Sequence, residues 1–523
     1  MNLALEALSD AGVLKELKFI KRGIEKESLR IDSNGSISSK KHPHGLGSAL
    51  TNSFITTDFS EALLELVTPT FTNTQECLNF LTELHAFVHR SIDRELLWPL
   101  SMPCSISSDE EIPIGNYGSS NPGMMKYAYR KGLSYRYGSR MQAIAGIHYN
   151  FSFPDEFFKK IATLKKLDSK NLKDIKNESY LSMARNFKRY EWLYFLLFGA
   201  SPALSDTFTN QEQELDGFKT LSKGSLFRPH ATSLRMGNIG YISEIQDDLN
   251  ISINSIEEYL EDLKKALITP HAEYKGIGEF FNGERIQINS SVIQIENEYY
   301  STIRPKRICA SGERPINILK EQGIEYLELR CVDLDPFSPI GMQRDQADFL
   351  DMLLILCFLK ESPPLNKKEG ALLKENHKKI INLGREPGLR IFSEKGEVSV
   401  TDLAKELLEE MTEIAESASD KIFQGEENLW EKSLRMQTQK IENLDLTPSS
   451  KLLNRLDQEN VSYTELGMEI AEENSKLFQN HDLSNENTFS DEASSSIERQ
   501  KQLESEKELP FEEYLRKFLN KVS

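Results

Sequence analysis

Residues 56–69 (TTDFSEALLELVTP) set three carboxylates, Asp58, Glu61 and Glu65, inside an otherwise apolar run. As a helix the segment puts all three on one face. As a strand it puts Glu61, Leu63, Glu65 and Val67 on one side and Ala62, Leu64 and Leu66 on the other. The tail Leu66, Val67, Thr68, Pro69 favours a strand. In either form a carboxylate pressed against Leu and Val stays ionised only if a cation or hydrogen-bond donor offsets its lost hydration. The segment therefore demands partners from elsewhere in the chain.

Candidate partners lie on other segments of strand character. Residues 23–35 read as a strand entering an Asn-Gly turn, with Glu25 and Glu27 on one side. Residues 146–154 alternate strictly, placing His148, Asn150 and Ser152 on a polar face. Residues 324–332 form a second acidic strand, with Glu328 and Arg330 on one side and Leu327 and Leu329 on the other. Crowded carboxylates raise one another's pKa unless a cation joins them, and oxygen-rich sets suit hard cations such as Mg2+, which also binds substrate phosphates. Glu25, Glu27, Asp58, Glu65, His148 and Glu328 are thus a candidate metal site, Mn2+ fitting as well as Mg2+; solvated strand edges are the alternative reading.

The 523-residue chain carries a net charge of -18, so polyanions such as nucleic acid and anionic membranes are repelled over most of its surface. An anionic small molecule needs a local basic pocket. Arg304, Lys306 and Arg307, with Arg330, offer one for a polyphosphate, a surface charge cluster being the alternative. No Walker-type loop and no dinucleotide-binding glycine motif follows a strand. A nucleotide is then expected to be held through metals on acidic strands. The five cysteines show no zinc-like spacing and are odd in number, which favours reduced thiols and a cytoplasmic location. No basic leader and no apolar run of membrane-spanning length is apparent.

Helical periodicity is expected over residues 3–18, 74–97, 124–142, 155–165, 178–199 and 255–268, and strands over 285–289 and 291–298. From residue 343 the pattern is nearly all helical. The fold class expected is α+β: an antiparallel sheet covered by helices over residues 1–342, with a mostly helical part, 343–523, packed on it. Residues 480–508, rich in Ser, Glu, Asn and Gln, are expected to be mobile or a loosely held exposed helix.

Taken together, residues 23–30 (GIEKESLR), 55–65 (ITTDFSEALLE), 98–103 (WPLSMP), 146–152 (GIHYNFS), 294–298 (QIENE), 303–307 (IRPKR) and 323–326 (GIEY) resemble the proteobacterial type of glutamate-cysteine ligase. The resemblance runs in order from about residue 15 to about residue 460 and thins beyond. It implies a curved, funnel-like antiparallel sheet of the glutamine synthetase type and ATP-dependent joining of the γ-carboxylate of L-glutamate to the amino group of L-cysteine, the first step of glutathione synthesis. Carried over by position, it implies the same six metal ligands, with Arg304, Lys306 and Arg330 against the phosphates and Arg130 on the glutamate α-carboxylate. Phe59, Tyr129, Leu133, Gln142, Arg235, Tyr241 and Tyr300 would form the cysteine pocket. Ser28 stands where the family usually has Thr, and the tail at 480–508 is longer. Glutathione, which contains the γ-glutamyl-cysteinyl unit, is expected to compete with glutamate at such a shared site as a feedback inhibitor, and a monomer is the expected state. A ligase with another amine acceptor, or a non-catalytic nucleotide- or metal-binding relative, is the alternative; the full set of six metal-site residues favours retained catalysis.

Overall fold

The computed structural model describes all residues except 1–4, 168, 210–216, 222–223, 238, 240–244, 246–248, 311, 507–508 and 523. Its centre is β1 (Lys21–Ile31), an 11-residue strand that is almost wholly buried. Six more strands join it: β2 (Ile55–Thr57), β3 (Leu63–Val67), β4 (Leu96–Leu97), β5 (Ile147–Ser152), β6 (Ile303–Lys306) and β7 (Tyr326–Val332). The order is β6-β7-β5-β1-β3-β2, with β4 paired to the end of β1, and every pairing is antiparallel. The α+β class expected from the sequence is found.

The two-residue period of a strand sorts the side chains into a charged front and an apolar back. On the back lie Ile24, Leu64, Leu66, Tyr149, Phe151, Leu327 and Leu329, each no more than 1% exposed. This face is covered by α1 (Thr74–Ser91), α3 (Leu172–Phe198) and α4 (Arg344–Leu359), with α2 (Asn121–Tyr137) beside the front and α5 (Lys367–Leu383) packed on α3. A buried ion pair ties strand to helix: Arg22 Nη2 lies 2.6 Å from Asp351 Oδ2 on α4, and the Tyr149 hydroxyl donates to Asp351 Oδ1 at 2.8 Å. Both carboxylate oxygens are satisfied, the condition for a buried charge to be tolerated.

The acidic segment is not one strand. A turn at residues 58–62 separates β2 from β3, because the Ser60 hydroxyl accepts from the backbone N–H groups of Ala62 and Leu63 at 3.1 Å and competes with the ladder. Glu61 consequently leaves the sheet face and accepts from the amides of His42 and Asn116. Nor do residues 285–298 form the two expected strands; they give a two-residue strand, Glu284–Arg285, and a helical turn, Glu296–Glu298. Arg136 on α2 takes the carbonyls of Asn289 and Ser291 and the side chain of Gln287, so this backbone is satisfied by a side chain instead of a ladder.

The C-terminal part contains α6 (Val400–Ile422), α7 (Leu429–Glu442), α8 (Tyr463–Gln479), α9 (Glu486–Ser505) and α10 (Phe511–Leu519). One hydrophobic cluster runs from Leu8 to Phe489, so α6 to α9 share the core of the sheet, whereas α10 packs on a separate small cluster. Within 480–508, the segment expected to be mobile or a loosely held exposed helix, residues 486–505 form α9, which buries Phe489, Ala493 and Ser496. Phe489 meets Phe54 and Phe80 edge to face. Among the described residues no helix is long and apolar enough to cross a membrane.

Helix α8 approaches the sheet end through Gly467, where an added Cβ would lie 2.0 Å from the Trp98 ring. That ring is fully buried and fixed by its Nε1 donating to the Met102 carbonyl at 2.9 Å. Gly467→Ala is expected to destabilise the protein by about 1–3 kcal/mol through overpacking, read as a lowered thermal midpoint; an unchanged midpoint would contradict this packing.

Behind the sheet, Glu191 on α3 accepts from Lys188 at 3.0 Å and from Thr302, and lies 3.3 Å from His377 Nδ1. Burial alone would raise this carboxyl, but Lys188, His377 and Thr302 outweigh it and hold it at about 2. A depressed folded pKa stabilises above the unfolded value near 4.5, and that contribution is lost as pH falls from there towards 2. The stability gap between wild type and Glu191→Gln should therefore shrink by roughly 1–3 kcal/mol between about pH 5 and about pH 3; a gap constant over that range would refute the assignment.

Candidate active site

The front of the sheet opens on a cavity of about 850 Å3, within the range of small-molecule sites. Register builds its floor. Glu27 on β1 sits directly opposite Glu65 on β3, Glu25 opposite His148 on β5, and Glu328 on β7 opposite both Asn150 and Arg304. Like charges directly opposed across strands are destabilising, so the floor carries electrostatic stress by construction.

Ligand atoms of Glu25, Glu65 and His148 lie within 4.8 Å of one another. His148 Nδ1 is 2.9 Å from Glu25 Oε2 and its Nε2 is 3.7 Å from Glu27 Oε1. Glu65 bears the largest burden: burial, then the charges of Glu25, Asp58 and Glu27, push its carboxyl well above the ordinary range despite the pull of Arg130. Burial and Asp58 likewise raise Glu27, against His148, Arg235 and Arg330. At Glu25 burial is overcome by the hydrogen bond and charge of His148, and the carboxyl is lowered. A donor set of hard oxygens and one imidazole, short of positive charge, fits a divalent cation.

The other side of the floor is basic. Arg304 Nη2 is 2.8 Å from Glu328 Oε2, Lys306 Nζ is 3.4 Å from Oε1, and Arg330 Nη1 is 3.4 Å from Oε2. Burial would raise Glu328, but these three cations hold it well below its ordinary value. In this structure Glu328 is thus clasped by bases, apart from the Glu25, Glu65 and His148 group. Two buried side-chain atoms here lack a hydrogen-bond partner among the described residues, Arg330 Nε and Asn150 Oδ1. Buried polar groups of that kind mark a place for a ligand.

Asp58 sits in the turn at the cavity edge, beside Phe59. Arg130 on α2 donates to the carbonyls of Asp58, Thr57 and Lys126 and stacks over Tyr117, its guanidinium carbon 4.5 Å from the ring centroid. Tyr129, Leu133, Gln142 and Tyr300 line the same cavity. Arg235 does not. Its guanidinium is 2% exposed behind the wall, 3.7 Å from Asp333 and donating to the Arg330 carbonyl at 3.0 Å. The close approach of Gly146, where a Cβ would lie 2.0 Å from Arg235 Nη2, locks it there. In this structure Arg235 braces β7 from behind the wall. Tyr241 lies outside the described residues.

Several lining residues were not singled out from the sequence. Lys126 is one α-helical turn from Arg130, and burial followed by Arg130 lowers its ammonium to about 8 against Glu65 and Asp58. Arg136 and Tyr137 both bind Glu298, at 2.9 and 2.8 Å. These two lie in the helix expected over 124–142, and Glu298 in the quoted 294–298 motif. Tyr514 and Phe518 also line the cavity, and nothing in the polar C-terminal sequence signalled them.

A sequence profile described as glutamate-cysteine ligase matches residues 5–380. The chain is 43% identical over 474 residues to the glutamate–cysteine ligase of Alcanivorax borkumensis, covering 89% of each protein. It is 41% identical over 474 residues to that of Pseudomonas putida, covering 90% of this chain and 88% of the relative. The crystal structure of glutamate–cysteine ligase from Francisella tularensis in complex with AMP superposes with a TM-score of 0.89 at 35% identity, covering 96% of this chain and 97% of that one. Agreement in profile, in sequence along most of the chain and in three-dimensional structure places the cavity in a known lineage, and the chain belongs to the glutamate–cysteine ligase family.

Proposed function

We propose that the cavity joins the γ-carboxylate of L-glutamate to the amino group of L-cysteine with ATP as co-substrate, through a γ-glutamyl phosphate. The observation that carries this reading is the division of one floor into a carboxylate half and a basic half. Glu65, Glu25, Glu27 and His148 would hold divalent cations, Mg2+ or Mn2+, with Asp58 and Glu328 at the margins. A divalent cation bound there would supply charge neutralisation for phosphoryl transfer.

Arg304, Lys306 and Arg330 hold the phosphates on the basic half. Glutamate lies with its α-carboxylate towards Arg130 and Lys126, which points its γ-carboxylate at the phosphates. A γ-carboxylate oxygen attacks the terminal phosphorus and ADP departs. The cysteine amine, oriented by Phe59, Tyr129, Leu133, Gln142 and Tyr300, then attacks the acyl carbon; an amide forms, the amine loses a proton and inorganic phosphate leaves. Holding both groups in line supplies much of the acceleration. The apolar and aromatic wall suits a small thiol, although one methylene more or less is worth only about 1–3 kcal/mol. Glutathione, which contains the γ-glutamyl-cysteinyl unit, would compete with glutamate for the same wall. The AMP complex of the Francisella relative supports a nucleotide in this reading.

Purified protein with ATP, Mg2+ and L-glutamate should release phosphate only when L-cysteine is present, with γ-glutamylcysteine detected by mass. Glu65→Gln should reduce kcat by roughly 10²-fold or more without lowering the thermal midpoint, because the substitution removes a like charge from a crowded floor. Phosphate release driven by another amine but not by cysteine would overturn the acceptor, and a fully active Glu65→Gln would overturn the metal assignment.

A further inference from the structure

Helix α10 meets the body mainly through a small apolar cluster apart from the main core. Leu515 packs on Ala128 of α2 and on Ile288, with Met125, Ile295, Phe511 and Leu519 at the edges. Polar contacts pin its ends. Asn121 Nδ2 donates to the Leu509 carbonyl at 2.8 Å, Arg285 binds Glu512, Asn317 Nδ2 donates to the Lys521 carbonyl at 2.6 Å, and Lys521 Nζ donates to the Gly312 carbonyl at 2.8 Å. The last two contacts fasten the helix to the segment that leaves β6 just after Lys306. The helix thus spans from α2 to the loop that follows the basic strand.

The inner face of α10 is part of the cavity wall, through Tyr514 and Phe518. Near them Met125, Ile288, Ile295, Cys309 and Ala310 carry no charge, with Glu296, already paired to Arg314, and Glu313 as the charged exceptions; both amino-acid substrates are charged at their ends, and the anionic pair offers nothing to their carboxylates. The one part of the three co-substrates that is flat, uncharged and largely apolar is the purine. Aromatic side chains stack on bases irrespective of base identity, and the loop bearing Cys309 and Ala310 begins where the phosphate-binding strand ends.

We propose, resting on the reading of the cavity as an ATP-dependent ligase site, that helix α10 is the wall for the adenine ring, with Tyr514 and Phe518 as nucleotide-binding residues. Phe518 has a second duty: its ring covers the buried guanidinium of Arg314, 4.6 Å from the centroid. Arg314 Nε donates to Glu296 at 3.0 Å, but its Nη1 and Nη2 have no hydrogen-bond partner among the described residues. Lifting α10 would hydrate both nitrogens, which offsets part of the cost of exposing the apolar face of the helix to water.

The test is calorimetric binding of ADP, and separately of inorganic tripolyphosphate, each with Mg2+, to wild type, Tyr514→Ala, Phe518→Ala and Tyr514→Phe. Each Ala variant should bind ADP about tenfold more weakly, with tripolyphosphate affinity and glutamate KM unchanged, and Tyr514→Phe should stay close to wild type. Equal losses for ADP and tripolyphosphate, or no loss for either, would overturn the assignment. If the Ala variants do not fold, hydrogen exchange of wild type decides: residues 511–519 should be protected by ADP and not by tripolyphosphate, and equal behaviour with both would refute the wall. A wild type that binds ADP at this wall yet releases no phosphate with cysteine would sink the ligase reading while leaving the wall in place. Cysteine-dependent turnover with ADP binding insensitive to both Ala variants would sink the wall alone.

Discussion

Two glutamates that face each other across neighbouring strands, Glu27 on β1 and Glu65 on β3, are the constraint on which the rest depends. A sheet would ordinarily exclude such a pair from its interior. Here Glu25 and Asp58 add to the crowding, and the raised carboxyl of Glu65 records its unrelieved part. Partial relief comes from His148, hydrogen-bonded to Glu25, and from Arg130 at a distance. In the proposed reading a divalent cation would supply what the chain withholds. The basic half of the floor is its mirror image: three cations gathered on a single carboxylate, Glu328, which leaves positive charge for a polyanion.

Such a floor survives only because its back is secure. The apolar face of the same strands is sealed by α1, α3 and α4, and the ion pair placed there, Arg22 with Asp351, is held with the help of Tyr149. Leu64 and Leu66 flank Glu65 on the chain and point into that core. The energy of their burial, about 1.5–3 kcal/mol each, holds Glu65 at the front against its neighbours. Arg235 plays the corresponding part for β7, bracing the Arg330 carbonyl from behind with Asp333 as counter-ion.

Much of this was legible in the sequence because a strand's period is short and strict. The alternation at 23–35, 146–154 and 324–332 assigned Glu25, Glu27, His148 and Glu328 to polar faces, and the structure gathers them on one floor. Where local side-chain chemistry competes with the ladder, the reading failed. Ser60 turned one expected strand into two, and Arg136 took the carbonyls that strands at 285–298 would have used. The bases around Glu328 were not foreseen as its partners, because its neighbours on β6 arrive from a pairing that no local pattern encodes. Nor does any local pattern foretell the close approach of Gly146 that holds Arg235 behind the wall. Tyr514 and Phe518 were invisible for a different reason, since a nine-residue amphipathic helix at the end of a polar tract says nothing of which cavity it will meet.

The central claim, that the opposed glutamates are a cation site, is tested most directly by anomalous diffraction from crystals of the protein grown with Mn2+ and a non-hydrolysable ATP analogue. The account predicts manganese coordinated by Glu65 and by one or both of Glu25 and Glu27, bridging to the phosphates, and loss of that peak in Glu65→Gln. Manganese bound elsewhere, or nucleotide seated on Arg304, Lys306 and Arg330 with no metal at the carboxylates, would contradict it.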